Sequence, residues 1–231
     1  MAAGQLVIDA VSAVIFDMDG VLLDTERVGL TAWTEAAREQ GCELTPQIYG
    51  ELIGLDSVGV RNHLRTRQWP DADIERLARL AGNKYLAALK RDGVPHKAGV
   101  FELLDFLEAR SISRAVATST ETQIAEHKLD SIGIKTRFDV IVGGDQVSNG
   151  KPAPDIYLRA AEQLKRTPSS CLALEDSGPG LRAATAAGMR VIWVPDLCKV
   201  DDATQRLAWT VAASLADVIT LLESVRDDTT V

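Results

Sequence analysis

Short apolar runs alternate with amphipathic stretches along most of this chain, and one long interval breaks the alternation. Val14 to Phe16, Arg114 to Thr118, Asp139 to Val142, Cys171 to Leu174 and Val191 to Val194 are each brief and apolar, the pattern of strands buried on both faces. Between them the apolar positions repeat with helical spacing. Val100, Leu103, Leu104 and Leu107 share one face, and Tyr157, Ala160, Ala161 and Leu164 share another within Pro154 to Lys165. TETQ at Thr120 to Gln123 predicts a capping box, with that helix closing near Gly133. Leu181 to Ala187 reads as a short helix ended by Gly188, and a last amphipathic helix lies within Ala213 to Val225, before a tail expected to fray. Strands alternating with helices build parallel sheets through βαβ units.

The interval after Thr25 contains no convincing strand for about seventy residues, and helical periodicity runs through it. Glu26 to Gln40 carries Leu30, Trp33 and Ala37 on one face, followed by Gly41. Thr45-Pro46 marks a second start. A third helix is predicted from Asp56 towards Arg67, and a fourth from Asp73 towards Lys90. In the fourth, the stripe Ile74, Leu77, Ala78, Ala81, Tyr85, Leu89 is interrupted by Gly82. The expected organisation is therefore an α/β core of residues 1–24 and 97–231, with an inserted helical unit at 25–96.

The chain has 231 residues, 46% apolar and 25% charged, enough to bury a substantial core. Its net charge of −8 argues against general attraction to nucleic acid or acidic membranes, so an anionic ligand would need local cations. The N-terminal stretch lacks a basic region followed by a long apolar one, and no segment reaches bilayer length. Cys42, Cys171 and Cys198 are too few and too irregularly spaced for a disulfide framework or a zinc site, and a cytoplasmic location is expected. His63, His96 and His127 are isolated and lack metal-ligand spacing.

Parallel strands share a C-terminal edge, where ligands bind in open α/β sheets. That edge would gather Asp17 and Asp19 from the first strand, Thr118 and Ser119 from the second, Lys151 from the loop after the third, and Glu175 with Asp176 from the fourth. Each has a plainer reading: a turn at Asp19-Gly20, helix caps at Thr118 and Ser119, a solvated loop lysine at Lys151, and helix-capping residues again at Glu175, Asp176 and Ser177. Their coincidence favours phosphoryl transfer through a covalent aspartyl intermediate. Asp17 would be the nucleophile and Asp19 the acid and base. Thr118, the backbone N–H of Ser119 and Lys151 would bind the phosphoryl oxygens. A hard cation, Mg²⁺, would be held by Asp17, Asp176 and the backbone carbonyl of Asp19, with Glu175 in support.

The segments FDMDGVLLDTE at Phe16–Glu26, AVATST at Ala115–Thr120, GKPAPDIY at Gly150–Tyr157 and LEDSGPGLRAATAAGM at Leu174–Met189 resemble the haloacid dehalogenase superfamily. The likeness is to the subgroup that contains β-phosphoglucomutase and phosphoglycolate phosphatase. The resemblance implies a Rossmann-like three-layer core with a helical cap inserted after the first strand, Mg²⁺ and an aspartyl-phosphate. It implies the same residue roles: Asp17 nucleophile, Asp19 acid/base, Thr118 and Lys151 phosphate binders, Glu175 and Asp176 metal carboxylates. The cap cations of the mutases fall at Gly29, Glu51 and near Ala81, so none is matched. The expectation is a phosphatase acting on a small phosphorylated metabolite such as a sugar phosphate or phosphoglycolate. The alternatives are a sugar-phosphate mutase and a non-catalytic phosphate-binding module. Relatives with a helical cap suggest a monomer, Trp33 is expected in the cap core, and the Leu52 to Ser57 loop is expected to face substrate.

Overall fold

The computed structural model describes residues 11–55 and 57–224. In chain order, β1 (Ala13–Phe16) leads into four helices, α1 (Thr25–Glu39), α2 (Pro46–Leu52), α3 (Ser57–Thr66) and α4 (Asp71–Asp92). Alternation then begins: α5 (Val100–Glu108), β2 (Ser113–Ala117), α6 (Thr122–Ser131), β3 (Val140–Val142), α7 (Asp155–Gln163) and β4 (Cys171–Glu175). The chain continues through α8 (Gly178–Ala186), β5 (Arg190–Trp193), α9 (Asp202–Gln205), β6 (Thr210–Val211) and α10 (Leu215–Ser224). Asp56, predicted as the start of the third helix, and the tail after Ser224 lie outside the described residues.

All six strands are parallel, in the order β3-β2-β1-β4-β5-β6. Their residues point alternately to two helical layers. Val14, Phe16, Val116 and Leu174 pack with residues of α5, α6 and α10, whereas Ala13, Ile15, Ala115 and Ala173 pack with residues of α7 and α8. The fold is thus the three-layer α/β sandwich that the alternation predicts. Phe16 stands opposite both Val116 and Leu174, so three strand ends are level where the chain order reverses about β1.

The four helices after β1 bury a cluster of their own, including Ala36, Leu64, Ile74 and Leu77. Backbone bonds tie the two crossings to each other: Asp24 N–H donates to Pro95 at 2.9 Å and Lys97 N–H to Leu22 at 2.9 Å. Asp196, on the β5 side, pairs with Arg27 at 2.8 Å and Lys97 at 2.9 Å. Among the described residues no helix is long and apolar enough to cross a membrane.

Two local expectations differ, and two short elements were not foreseen. The capping box at Thr120 does not form: Glu121 is the N-cap of α6, without a side-chain cap bond. The Thr120 hydroxyl is committed instead to Asp19 at 3.0 Å, and Asp145 accepts the Thr122 N–H at 2.7 Å from outside the helix. The helix predicted from Leu181 begins at Gly178, because Ser177 caps it by accepting the Gly180 N–H at 3.2 Å and Pro179 suits its first turn. The two-residue β6 and the single turn of α9 are too short for periodicity to reveal.

Candidate active site

Asp17 follows the last residue of β1, and its backbone N–H donates to Leu174 at 2.9 Å, so the neighbouring strand holds it in place. Its carboxylate meets the ammonium of Lys151, which also reaches Glu175 at 2.6 Å. Lys151, proposed at the sequence level from a loop, is 2% exposed at its side chain and is no solvated lysine. Glu175 is fully occupied: Tyr157 donates to one oxygen at 2.9 Å, and the N–H and hydroxyl of Ser177 donate to the other at 3.0 Å each. Only glycine fits beside it, because a Cβ on Gly180 would lie 1.7 Å from a Glu175 oxygen.

Asp176 differs from its neighbour at its carboxylate, although its backbone carbonyl accepts from Trp193 Nε1 at 3.1 Å. Its Oδ2 is buried without a hydrogen bond, an arrangement that costs free energy unless something else supplies positive charge. Gly20, at φ +93°, gives this carboxylate its space; a Cβ there would stand 2.3 Å from Asp176 Oδ2. Burial, then Glu175 and Asp17, push the Asp176 carboxyl well above the usual range. Burial also pushes Asp17 up, to about 8, with Glu175 and Asp19 adding to the effect and Lys151 opposing it.

Asp19 is treated in the opposite way. Its carboxylate accepts from the Thr25 hydroxyl, from Lys128 at 2.9 Å and from Thr120 at 3.0 Å. Burial alone would raise it, but Lys128 and these bonds together hold it below the usual carboxylate range. Lys128 was not anticipated from the sequence. It sits on α6 beside Ala125 and Leu129, buried like them, with its ammonium 5.4 Å from the Tyr85 ring centroid. A charged residue on an otherwise apolar helical face was the available signal. Glu26 was also missed: burial, with Asp19 adding to it, lifts the carboxyl to about 7, and Tyr49 donates to it at 2.9 Å.

A cavity of about 260 Å³ brings together Asp17, Asp19, Thr118, Ser119, Lys151 and Asp176. Glu175 lies behind them, holding Lys151. Thr118 is anchored to β3 through Val142 at 3.0 Å; its hydroxyl accepts the Thr120 N–H at 3.1 Å and keeps its own proton to donate. Ile53, Gly54 and Leu55 from the helical unit close one side, so the loop expected to face substrate does line the cavity. Gly54, at φ +78°, allows the approach, since a Cβ would lie 2.9 Å from the Ser177 hydroxyl.

Residues 14–194 match the family model described as haloacid dehalogenase-like hydrolase. The chain belongs to this family. A phosphorylated carbohydrates phosphatase of Thermotoga maritima is 34% identical over 78% of this chain and 83% of its own length. A fructose-1-phosphate phosphatase of Escherichia coli is 32% identical over 78% of this chain and 95% of its own length. Among solved structures, the protein CbbY of Rhodobacter sphaeroides in complex with phosphate superimposes with a TM-score of 0.73 at 28% identity, covering 92% of this chain and 99% of that one. As a haloacid dehalogenase-like hydrolase the chain is an enzyme, and a non-catalytic module falls away as an account of it.

Among the described residues no three His, Cys, Asp or Glu side chains form a metal cage. Asp19 is turned to Lys128 and Glu175 is engaged, which leaves the Asp17 and Asp176 carboxylates and backbone oxygen. The unpartnered, buried Asp176 oxygen is what a site lacking its cation would present, and oxygen-only donors suit Mg²⁺.

Proposed function

We propose that this protein is a Mg²⁺-dependent phosphatase that hydrolyses a small phosphomonoester through an aspartyl-phosphate on Asp17. The observation that carries the reading is the gathering, around one cavity, of Asp17 against the Lys151 ammonium, a buried Asp176 oxygen without a hydrogen bond, and Thr118 with Ser119.

Asp17, Asp176 and the Asp19 carbonyl would hold Mg²⁺, which when bound neutralises carboxylate and phosphoryl oxygens and so lowers their mutual repulsion. An oxygen of Asp17 attacks phosphorus, and the bond from phosphorus to the alcohol oxygen breaks. Asp19 gives that oxygen a proton. For this Asp19 turns from Lys128 and takes up a proton, and its bond from Thr25, the first residue of α1, couples the turn to the helical unit. Thr118, the Ser119 N–H and Lys151 hold the phosphoryl oxygens while charge moves across them. Asp19 then takes a proton from water, whose oxygen attacks phosphorus and releases phosphate from Asp17. Residues 25–96 act as a cap that closes over this chemistry through the Ile53 to Leu55 loop. The expected location is the cytoplasm.

A mutase must hold a second phosphate, and the positions where its cap cations would fall are Gly29, Glu51 and near Ala81. Glu51 is an acid paired with Arg67 and with His63 at 2.8 Å, which favours hydrolysis. The test is phosphate release from a panel of small phosphomonoesters. Release should require Mg²⁺ and fall about 10³-fold or more in Asp17→Asn. Isomerisation on adding a sugar bisphosphate, with no net release, would instead make the protein a mutase.

A further inference from the structure

The two crossings between the core and the helical unit form a short antiparallel ribbon, with Leu23 opposite His96 and a backbone bond on either side of that pair. Asp196, in the core segment that follows β5, stands against this ribbon. One of its carboxylate oxygens accepts from both sides: from Arg27, in the first turn of α1, at 2.8 Å, and from Lys97, on the return crossing, at 2.9 Å. Asp24 faces the same two cations, so two acids and two bases meet where the units join. The Asp196 side chain is 2% exposed, whereas that of Arg27 is 52% exposed.

Neither helix propensity nor stability accounts for this cluster. A cation in the first turn of a helix opposes the macrodipole, so α1 itself gains nothing from Arg27. The other oxygen of Asp196 is buried without a hydrogen bond, a cost that an apolar residue there would not carry. What such a charge cluster can supply is register, because it is satisfied at one setting of its partners and not at others. That setting reaches the active site. Leu197 and Cys198, the next two residues, pack against the apolar cluster of the helical unit, and Cys198 packs against a core cluster as well. Helix α2 meets the backbone of this segment, where a Cβ on Gly50 would lie 3.2 Å from the Leu197 oxygen. It ends at Leu52, and Ile53, Gly54 and Leu55 continue from it into the wall of the active-site cavity.

We propose that Asp196 is a positioning residue: by holding Arg27 and Lys97 together it fixes the foot of α1 on the core, and so sets the placement of the Ile53 to Leu55 loop over the cavity. Asp196 is not among the residues lining that cavity, so it acts through the helical unit. The assignment goes beyond the phosphatase reading, because it concerns where the helical unit rests and not what the site does to its ligand.

The experiment is hydrogen–deuterium exchange, read by mass spectrometry of peptides, on the full chain without substrate. The unsubstituted protein is compared with Asp196→Asn, Arg27→Gln and the double variant. Exchange in the peptide spanning Tyr49 to Leu55 should quicken about fivefold or more in each single variant. The double variant should quicken by less than the product of the two, because they break a shared contact. Peptides from α4 and α5 should exchange as before, since the packing inside each unit is untouched. Arg27 is half exposed, so Arg27→Gln alone decides the matter should Asp196→Asn not fold. With a phosphomonoester that the protein hydrolyses, KM should rise about fivefold or more while kcat stays within about twofold, as expected when the closed setting is less populated. Unchanged exchange at Tyr49 to Leu55, equal quickening in α4 and α5, multiplicative effects, or a fall in kcat with KM unmoved would overturn the proposal. Phosphate release is scored apart: its absence with the exchange pattern intact would refute the phosphatase reading alone.

Discussion

Asp17 and Asp19 leave the same strand two residues apart, yet their surroundings drive their carboxyls in opposite directions. For the proposed roles both must change: a cation beside Asp17 would favour its carboxylate, and Asp19 must leave Lys128 to carry a proton. Lys128 is the largest of the groups that hold Asp19 down, so Lys128→Met should raise the Asp19 carboxyl. For the hydrolysis of the acyl phosphate, where Asp19 acts as base, the acidic limb of the pH–rate profile then moves to higher pH. A limb that stays in place would show that Lys128 does not act through Asp19. Asp17, Asp19, Thr118, Lys151, Glu175 and Asp176 were legible in the sequence because each follows an apolar run or sits in a loop beside one, where residue type alone suggests chemistry. Lys128, Glu26 and Tyr49 were not, because they reach the site sideways from helices. Their contribution depends on how two packed helical units face each other, which periodicity does not encode.

The helices and strands follow the apolar pattern closely wherever an element exceeds one turn or three residues. Departures come where a polar side chain has a tertiary partner stronger than its local one. At Thr120 the local capping geometry loses to Asp19, and the N-terminus of α6 is served by Asp145 instead. Two substitutions separate these roles. Asp145→Ala should lower the melting temperature by fraying the first turn of α6, whereas Thr120→Val should lower kcat with a smaller thermal effect. A larger melting loss in Thr120→Val would restore the capping box.

The whole molecule stores like charge at one sheet edge and leaves it partly uncompensated. Burial pushes the Asp17 carboxyl from its ordinary 3.8 up to about 8, and Asp176 is raised as well. A carboxyl raised in the folded state contributes stability that is present below the unfolded value and lost as pH climbs through the folded one. The metal-free protein should therefore lose stability between about pH 4 and pH 8. The lowered Asp19 acts in the other sense, but below that window. Because Mg²⁺ binds the ionised carboxylates, the rise in melting temperature that it causes should be larger at pH 8 than at pH 5. A rise equal at the two pH values, or larger at pH 5, would contradict a site built on Asp17 and Asp176.

The claim on which the rest depends is that Asp17 carries the phosphoryl group. The most direct measurement is acid quenching of the protein during turnover with Mg²⁺ and a hydrolysed phosphomonoester, followed by peptide mass analysis. One phosphoryl group should appear on the peptide containing Asp17, be released by hydroxylamine as an acyl phosphate is, and be absent in Asp17→Asn. Turnover that proceeds with no phosphorylated peptide, or with the group on another residue, would contradict it.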